Sequence, residues 1–84
     1  MKHFATAEYW SCFAELPKAI QTAAKKNFEI LKENPTHPSL HFKNVGEYRS
    51  VRVGIRYRAL GIATGTDIVW FWIGSHADYD KLIS

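Results

Sequence analysis

Eighty-four residues, of which 46% are hydrophobic, 14% aromatic and 23% charged, suffice for one packed core and are too few for two, since domains usually run about 100–150 residues. The composition is too apolar for a disordered or collagen-like chain, and residues 1–84 are read as a single domain. A domain this small buries only about 60–65% of the surface its unfolded chain exposes, so a partner covering more apolar area would add stability. The net charge is +3, too modest by itself to imply nucleic acid.

The longest strongly apolar run, Ile68-Val69-Trp70-Phe71-Trp72-Ile73, has six residues, far short of the roughly 20 a membrane-spanning helix needs. The first residues lack the charged, then apolar, then small-residue order of a secretory leader. One cysteine, Cys12, makes neither an intrachain disulfide nor a structural zinc site and reads as a small buried hydrophobe. A cytoplasmic chain without a membrane segment fits these features. Charge is placed unevenly: between 43 and 58, Lys43, Arg49, Arg52, Arg56 and Arg58 face Glu47 alone, a local net of +4.

In chain order, residues 2–4 can start a short strand. Thr6 is suited to cap a helix over 7–16, in which Tyr9, Phe13 and Leu16 recur at helical spacing. Pro17 marks a break, because it lacks an N–H but is welcome at a helix start. Over 18–33, Ile20, Ala23, Ala24, Phe28 and Leu31 form an apolar stripe with lysines mostly opposite, which is an amphipathic helix stopped by Asn34-Pro35. After a turn-rich loop over 34–39 the pattern changes to period two. Leu40 and Phe42 alternate with His41 and Lys43, and further strands are expected over 48–53, 56–63 and 68–73, with turns at Gly46, Gly54 and Gly65. The unbroken apolarity of 68–73 predicts a strand covered on both faces. A short helix over 78–83 ends the chain. The fold class is α+β: two N-terminal helices packed on a small antiparallel sheet, with a short C-terminal helix.

Side chains two apart on a strand share a face. Ser50 and Arg52 share one, Arg56 and Arg58 another. If these strands pair through a turn near Gly54, Arg52 and Arg58 come within reach of one phosphate, which guanidinium forks suit. A solvated sheet face would explain the charges alone, but arginine rather than lysine at all four strand positions favours an anion. His76 follows the most apolar strand, where a strand end delivers a side chain to the sheet rim, and imidazole titrates in the cellular range. Tyr79 is close enough in sequence to share its site or to anchor the last helix. His37 and His41 are four apart, but Pro38 lies between them and no second ligand pair accompanies them, so they do not make a zinc site.

The helical pair, Glu33-Asn34-Pro35, then Tyr48-Arg49-Ser50-Val51-Arg52-Val53-Gly54, Tyr57-Arg58 and a last strand ending Ile73-Gly74-Ser75-His76 together resemble the RelE/ParE superfamily of bacterial toxins over nearly the whole chain. The resemblance implies a toxin of a type II toxin-antitoxin system, neutralised by a cognate antitoxin protein. RelE-like members cut messenger RNA, usually on the ribosome, without a metal or other cofactor, whereas ParE-like members inhibit DNA gyrase and lack nuclease activity. A third possibility is an antitoxin-binding module without toxicity.

On the nuclease reading, Arg58 matches the strand arginine that holds the scissile phosphate, although Ala59-Leu60-Gly61 follows it without the family's usual tyrosine. Arg52 matches a second basic position, and Lys43 lies where lysines of some members contact RNA. Arg49 and Arg56 complete the phosphate-binding cluster. His76 stands where members carry a general acid or base, and Tyr79 stands in for a C-terminal catalytic tyrosine. The chemistry implied is attack of the substrate's own 2′-OH on the adjacent phosphorus, with Arg58 and Arg52 on the phosphate and His76 transferring a proton. No carboxylate in the sequence obviously supplies the second proton-transfer group.

Overall fold

A computed structural model describes residues 2–83. The chain begins with strand β1 (His3–Ala5) and helix α1 (Ala7–Ala14). The Thr6 hydroxyl accepts from the Tyr9 N–H at 3.1 Å, as a capping residue should. Helix α1 stops two residues before the expected end, and Leu16, buried in the link, plugs the core instead. Pro17 precedes helix α2 (Lys18–Glu33). Gln21 Nε2 donates to the carbonyls of Phe13 and Leu16 at 3.2 and 3.1 Å, satisfying acceptors freed where α1 ends.

The largest departure from the expected elements follows α2. Leu40 and Phe42 alternate as in a strand, yet Pro38–Leu40 is a 3₁₀ turn, with the His37 Nδ1 accepting from the Ser39 N–H. The turn drives Leu40 into the core with no exposed surface. His41 then adopts a left-handed backbone, φ 46°, which redirects the chain into β2 (Lys43–Val45). Strands β3 (Tyr48–Val53), β4 (Tyr57–Thr64) and β5 (Asp67–Ser75) follow as a meander, and helix α3 (His76–Ile83) closes the chain. The turn between β3 and β4 uses Gly54 at φ 64°, a conformation a side chain would strain. Helix α3 starts two residues earlier than the sequence pattern indicates, because the Ser75 hydroxyl accepts from the Asp78 N–H at 3.2 Å and makes a helix start of Ser-His-Ala-Asp.

The sheet order is β1-β5-β4-β3-β2. Four strands are antiparallel neighbours as expected, but β1 pairs with β5 in parallel, His3 opposite Ile68, so the sheet is mixed rather than antiparallel. The α1 helix supplies the crossover that a parallel pair needs only indirectly, since β1 and β5 are joined through the whole intervening chain. The main core lies between the helix pair and one sheet face: Leu16, Ala24, Leu31 and Leu40 meet Val51, Val53, Ala59, Ile68, Trp70 and Ile73.

Strand β5 is not covered equally on both faces. Ile68, Trp70 and Ile73 are buried, whereas Val69, Phe71 and Trp72 are half-buried. Opposite Leu60 stands Trp72 and opposite Gly61 stands Trp70, so Phe71 is an extra, unpaired residue. This bulge shifts the alternation by one and lets both Trp70 and Ile73 face the helices. A Cβ on Gly61 would lie 2.8 Å from both Ile68 and Trp70 side chains, so the close packing at the bulge depends on that glycine.

His3 locks β1 onto this core. Its Nδ1 accepts from the Trp70 Nε1–H at 3.1 Å, and its ring stacks on Trp70 with centroids 6.2 Å apart. An indole N–H only donates, so the imidazole accepts through a lone pair and is held neutral. Burial first, then nearby positive charge including Lys32, lowers its pKa below the ordinary 6.5. A group charged less readily in the folded state binds more protons when unfolded, so its contribution to stability is complete above pH 6.5 and is lost as pH falls from there through the lowered folded-state value. Thermal melts at pH 7.5 and at mildly acid pH are expected to show a smaller acid-induced drop in Tm for His3→Gln, which can still accept from Trp70, than for the wild type. Equal drops would remove His3 from the acid response.

Candidate active site

The register of β3 and β4 sets Arg52 directly opposite Arg58. Their neighbours Val51, Val53 and Ala59 belong to the main core, so strand alternation turns both arginines to the sheet face away from the helix pair. Ser50 and Leu60 occupy the next cross-strand pair on that face, and Lys43 lies opposite Ser50 on β2. Lys43, Arg52 and Arg58 are thus brought together as a basic patch. Across the next strand, Arg58 faces Gly74. A Cβ at Gly74 would lie 2.5 Å from the Trp72 ring, so this glycine is what lets the indole lie across the strand beside Arg58.

Two of the sequence-selected arginines lie elsewhere. Arg49 alternates with Tyr48 and Ser50 and so sits on the opposite face from Arg52. Its guanidinium donates to the carbonyls of Tyr48 and Glu47 at 3.2 and 3.5 Å. Arg56 is in the exposed turn before β4, and its carbonyl accepts from the His76 N–H at 2.6 Å. That bond ties the start of α3 to the β3–β4 turn and therefore holds His76 close to the arginine row. His76 is the first residue of a helix rather than the end of a strand.

Helix α3 folds over the patch. Tyr79 is 2% exposed, and the Arg58 guanidinium carbon lies 5.3 Å from the centroid of its ring. The His76 ring is 5.8 Å from the same tyrosine. His76, Arg58 and Tyr79 therefore converge. The His76 Nδ1 is 3.2 Å from Asp80 Oδ2, one helical turn on, which orients the imidazole and leaves Nε2 free. Asp80 was legible as an i,i+4 partner once the helix was known to start at His76.

The electrostatics of this site are unfinished within the chain. Among the described residues, no carboxylate pairs with Arg52 or Arg58. Arg58 Nε and Nη1, the Tyr79 hydroxyl and the Ser50 hydroxyl are buried without hydrogen-bond partners. Each such group costs on the order of 1–3 kcal/mol, and guanidiniums directly opposite each other repel. Arg52 does have contacts: its Nε donates to the Gly54 carbonyl at 2.9 Å and its Nη1 lies 3.2 Å from His41 Nε2. Asn27 of α2 donates to the Arg52 carbonyl at 3.0 Å, beyond the reach of the short β2. His41 is the residue that sequence reasoning set aside; its partnership with Arg52 depends on the left-handed turn, which no periodicity signals.

Because these polar groups lack partners in the free chain, Tyr79→Phe and Arg58→Met are expected to leave the melting temperature unchanged or raise it, by up to about 1 kcal/mol equivalent each. A loss of more than about 1 kcal/mol in denaturant unfolding of Tyr79→Phe would mean that the hydroxyl is satisfied in the native state.

The other side of the molecule carries an apolar groove between α1, α2 and the sheet, lined by Tyr9, Trp10, Phe13, Lys25, Phe28 and Trp70 among others. Trp10 is 53% exposed at its rim.

Comparison with solved structures finds this fold in small toxins. The chain is similar to a chain of the RelB-RelE antitoxin-toxin complex from Methanococcus jannaschii, with a TM-score of 0.76 and 15% identity over 96% of this chain and 99% of that one. It is similar to YafQ from Escherichia coli strain BL21(DE3), at 0.74 and 13% over 93% and 96%. It also resembles a chain of the archaeal RelE-RelB complex from Pyrococcus horikoshii OT3, at 0.67 and 16% over 88% and 92%. Among curated proteins no significant sequence match is found. The model of the ParE-like toxin domain matches residues 18–81, from the start of α2 to the last turn of α3, and so spans both the helix that builds the core and the strands and helix that carry the basic patch. The chain belongs to this family, within the RelE/ParE superfamily of toxins of toxin-antitoxin systems.

Proposed function

We propose that the chain is a metal-independent endoribonuclease that cleaves messenger RNA, engaged on the ribosome in the cytoplasm. The observation that carries this reading is the half-buried Arg58 guanidinium, its Nε and Nη1 buried without partners, over Tyr79 and opposite Arg52. This is a donor set without an acceptor, on the face that also carries His76.

In the proposed reaction the scissile phosphate binds between Arg52 and Arg58, whose donors take up charge as it grows on the phosphate oxygens. The substrate's 2′-oxygen attacks the adjacent phosphorus as its proton leaves. The bond from phosphorus to the 5′-oxygen breaks, giving a 2′,3′-cyclic phosphate and a 5′-hydroxyl. His76, oriented by Asp80, gives the leaving oxygen its proton through Nε2. Tyr79 holds Arg58 through its ring and offers its hydroxyl to the phosphate or leaving oxygen. Lys43, at the sheet edge, contacts a neighbouring phosphate. Arg49 and Arg56 lie outside this constellation.

In a translation reaction with primer-extension readout, the wild-type protein is expected to produce discrete cuts in ribosome-bound message, and Arg58→Ala and His76→Asn to reduce them by about 100-fold or more. Arg58→Ala cutting as fast as wild type, with its fold intact, would remove the assignment. The second reading, inhibition of DNA gyrase, draws on the match to a ParE-like domain. It would be favoured by intact message together with impaired supercoiling.

The cognate antitoxin is proposed to seat an apolar segment flanked by acidic residues in the groove between α1 and α2, where Trp10, Phe13 and Phe28 offer the apolar surface and Lys25 the charge. The two RelE complexes with RelB support a partner of this kind. Expressed from its own operon, the protein is expected to co-purify with a small neighbouring gene product, and Trp10→Glu to weaken that association at least about tenfold. Purification of the wild type alone would count against the partner.

A further inference from the structure

The reaction above needs two proton carriers, one on each side of the phosphorus, because attacking and leaving oxygens lie in line. His76 supplies one. From the geometry we infer that His41 supplies the other, as the general base that takes the proton of the 2′-OH; this rests on the nuclease reading.

His41 precedes β2, outside the strand pairing, and its place is given by contact: its Nε2 lies 3.2 Å from Arg52 Nη1. Arg52 is opposite Arg58, and Arg58 is opposite Gly74, two residues before His76. Neighbouring strands are about 4.8 Å apart. The two imidazoles therefore flank the arginine pair from its two sides, at the β2 side and at the start of α3. A phosphate held by both guanidiniums has one imidazole on each hand.

The contact with Arg52 also fixes the chemical form of His41. Arginine only donates, so at the 3.2 Å contact His41 Nε2 is the acceptor. The ring is neutral, with its proton on Nδ1 and a lone pair on Nε2. This is the form a base requires. In the free protein the lone pair is occupied by Arg52. When a phosphate recruits the Arg52 guanidinium, Nε2 is released beside the 2′-OH, so substrate binding unmasks the base. The proton then moves from the 2′-oxygen to Nε2 as the new oxygen–phosphorus bond forms, and His76 protonates the departing 5′-oxygen.

The backbone supports a functional reading of this side chain. His41 is the one non-glycine with a positive φ among the described residues. Glycine would fit the turn without strain, yet the chain holds an imidazole there, exposed and against Arg52.

The test compares wild type, His41→Gly and His41→Asn, both substitutes being compatible with a left-handed backbone. Single-turnover cleavage is expected to fall about 100-fold or more in each. Affinity for the same RNA carrying 2′-O-methyl groups, which block attack, should stay within about threefold of wild type. Added imidazole, on the order of 10 mM, should restore cleavage by His41→Gly about tenfold, because it fills the space with the missing base. Cleavage by His41→Gly within about threefold of wild type overturns the assignment. A loss of cleavage matched by an equal loss of RNA affinity, without imidazole rescue, also overturns it, since His41 would then only position Arg52. Failure of this inference alone appears as wild-type cleavage with an unimpaired His41→Gly. Failure of the nuclease reading appears as a wild type that leaves RNA intact, which removes both.

Discussion

Two guanidinium groups placed opposite each other across β3 and β4 are the constraint from which the rest of this structure is understood. Cross-strand partners bring their Cβ atoms within about 5 Å, and like charges so placed repel. A folded chain ordinarily relieves such a pair with a carboxylate, and among the described residues none pairs with either arginine. Arg52 is partly satisfied by the Gly54 carbonyl and His41, while Arg58 leaves Nε and Nη1 without acceptors and rests on the Tyr79 ring. A ring face moderates a cation by roughly 0.5–2 kcal/mol but accepts no directed N–H bond of ordinary strength. The described residues therefore leave these Arg58 donors without acceptors.

That arrangement is tolerable because the two faces of one sheet are put to different uses. The helix-covered face carries nearly all of the continuous apolar core, from Leu16 and Leu31 through Val51 and Val53 to Trp70 and Ile73. The opposite face gives up part of its packing area to arginine, lysine and buried hydroxyls, and α3 packs across it. In a chain of 84 residues the margin for such a face is narrow, since small domains bury a limited fraction of their surface. The bulge at Phe71 matters here: by turning both Trp70 and Ile73 to the helix side it concentrates large side chains where stability is generated.

The parts of this design visible in the sequence are those governed by periodicity and by single-residue conformational rules. The α2 stripe, the Asn34-Pro35 stop, the glycine turns and the pairing of Arg52 with Arg58 through Gly54 all follow from local rules. What was hidden depended on tertiary contacts or on hydrogen bonds that pattern does not encode. Leu40 and Phe42 alternate as strand residues do, but a 3₁₀ turn buries Leu40 by another route. The apolar run in β5 conceals the bulge, because every residue in it is hydrophobic and alternation has nothing to mark. The parallel pairing of β1 is a long-range event for a three-residue strand. At the site, the face of Arg49 was readable from its odd spacing to Arg52, whereas the cap at Ser75, which brings Asp80 to His76, required recognising Ser75-His76-Ala77-Asp78 as a helix start.

The distribution of the site over elements has a further consequence. The guanidiniums are carried by β3 and β4, strands joined to each other and flanked on both sides, where backbone position is fixed by ladder hydrogen bonds. The imidazoles are carried by connecting segments at the edges of that row, one on the turn before β2 and one on the first turn of α3. In the proposed reaction, anion binding falls to the stiff centre and proton transfer to its adjustable borders. A strand cannot easily move an arginine toward a phosphate, but a turn can bring an imidazole the last few tenths of an ångström that a proton transfer demands. His76 is restrained by Asp80 and by the bond from its N–H to the Arg56 carbonyl, and His41 by Arg52 and by the bond from its own N–H to the Pro38 carbonyl at 3.3 Å. Of the two borders, the β2 side is the one whose side chain a phosphate bound as proposed would rearrange directly, because the imidazole's partner, Arg52, is the group that phosphate would take.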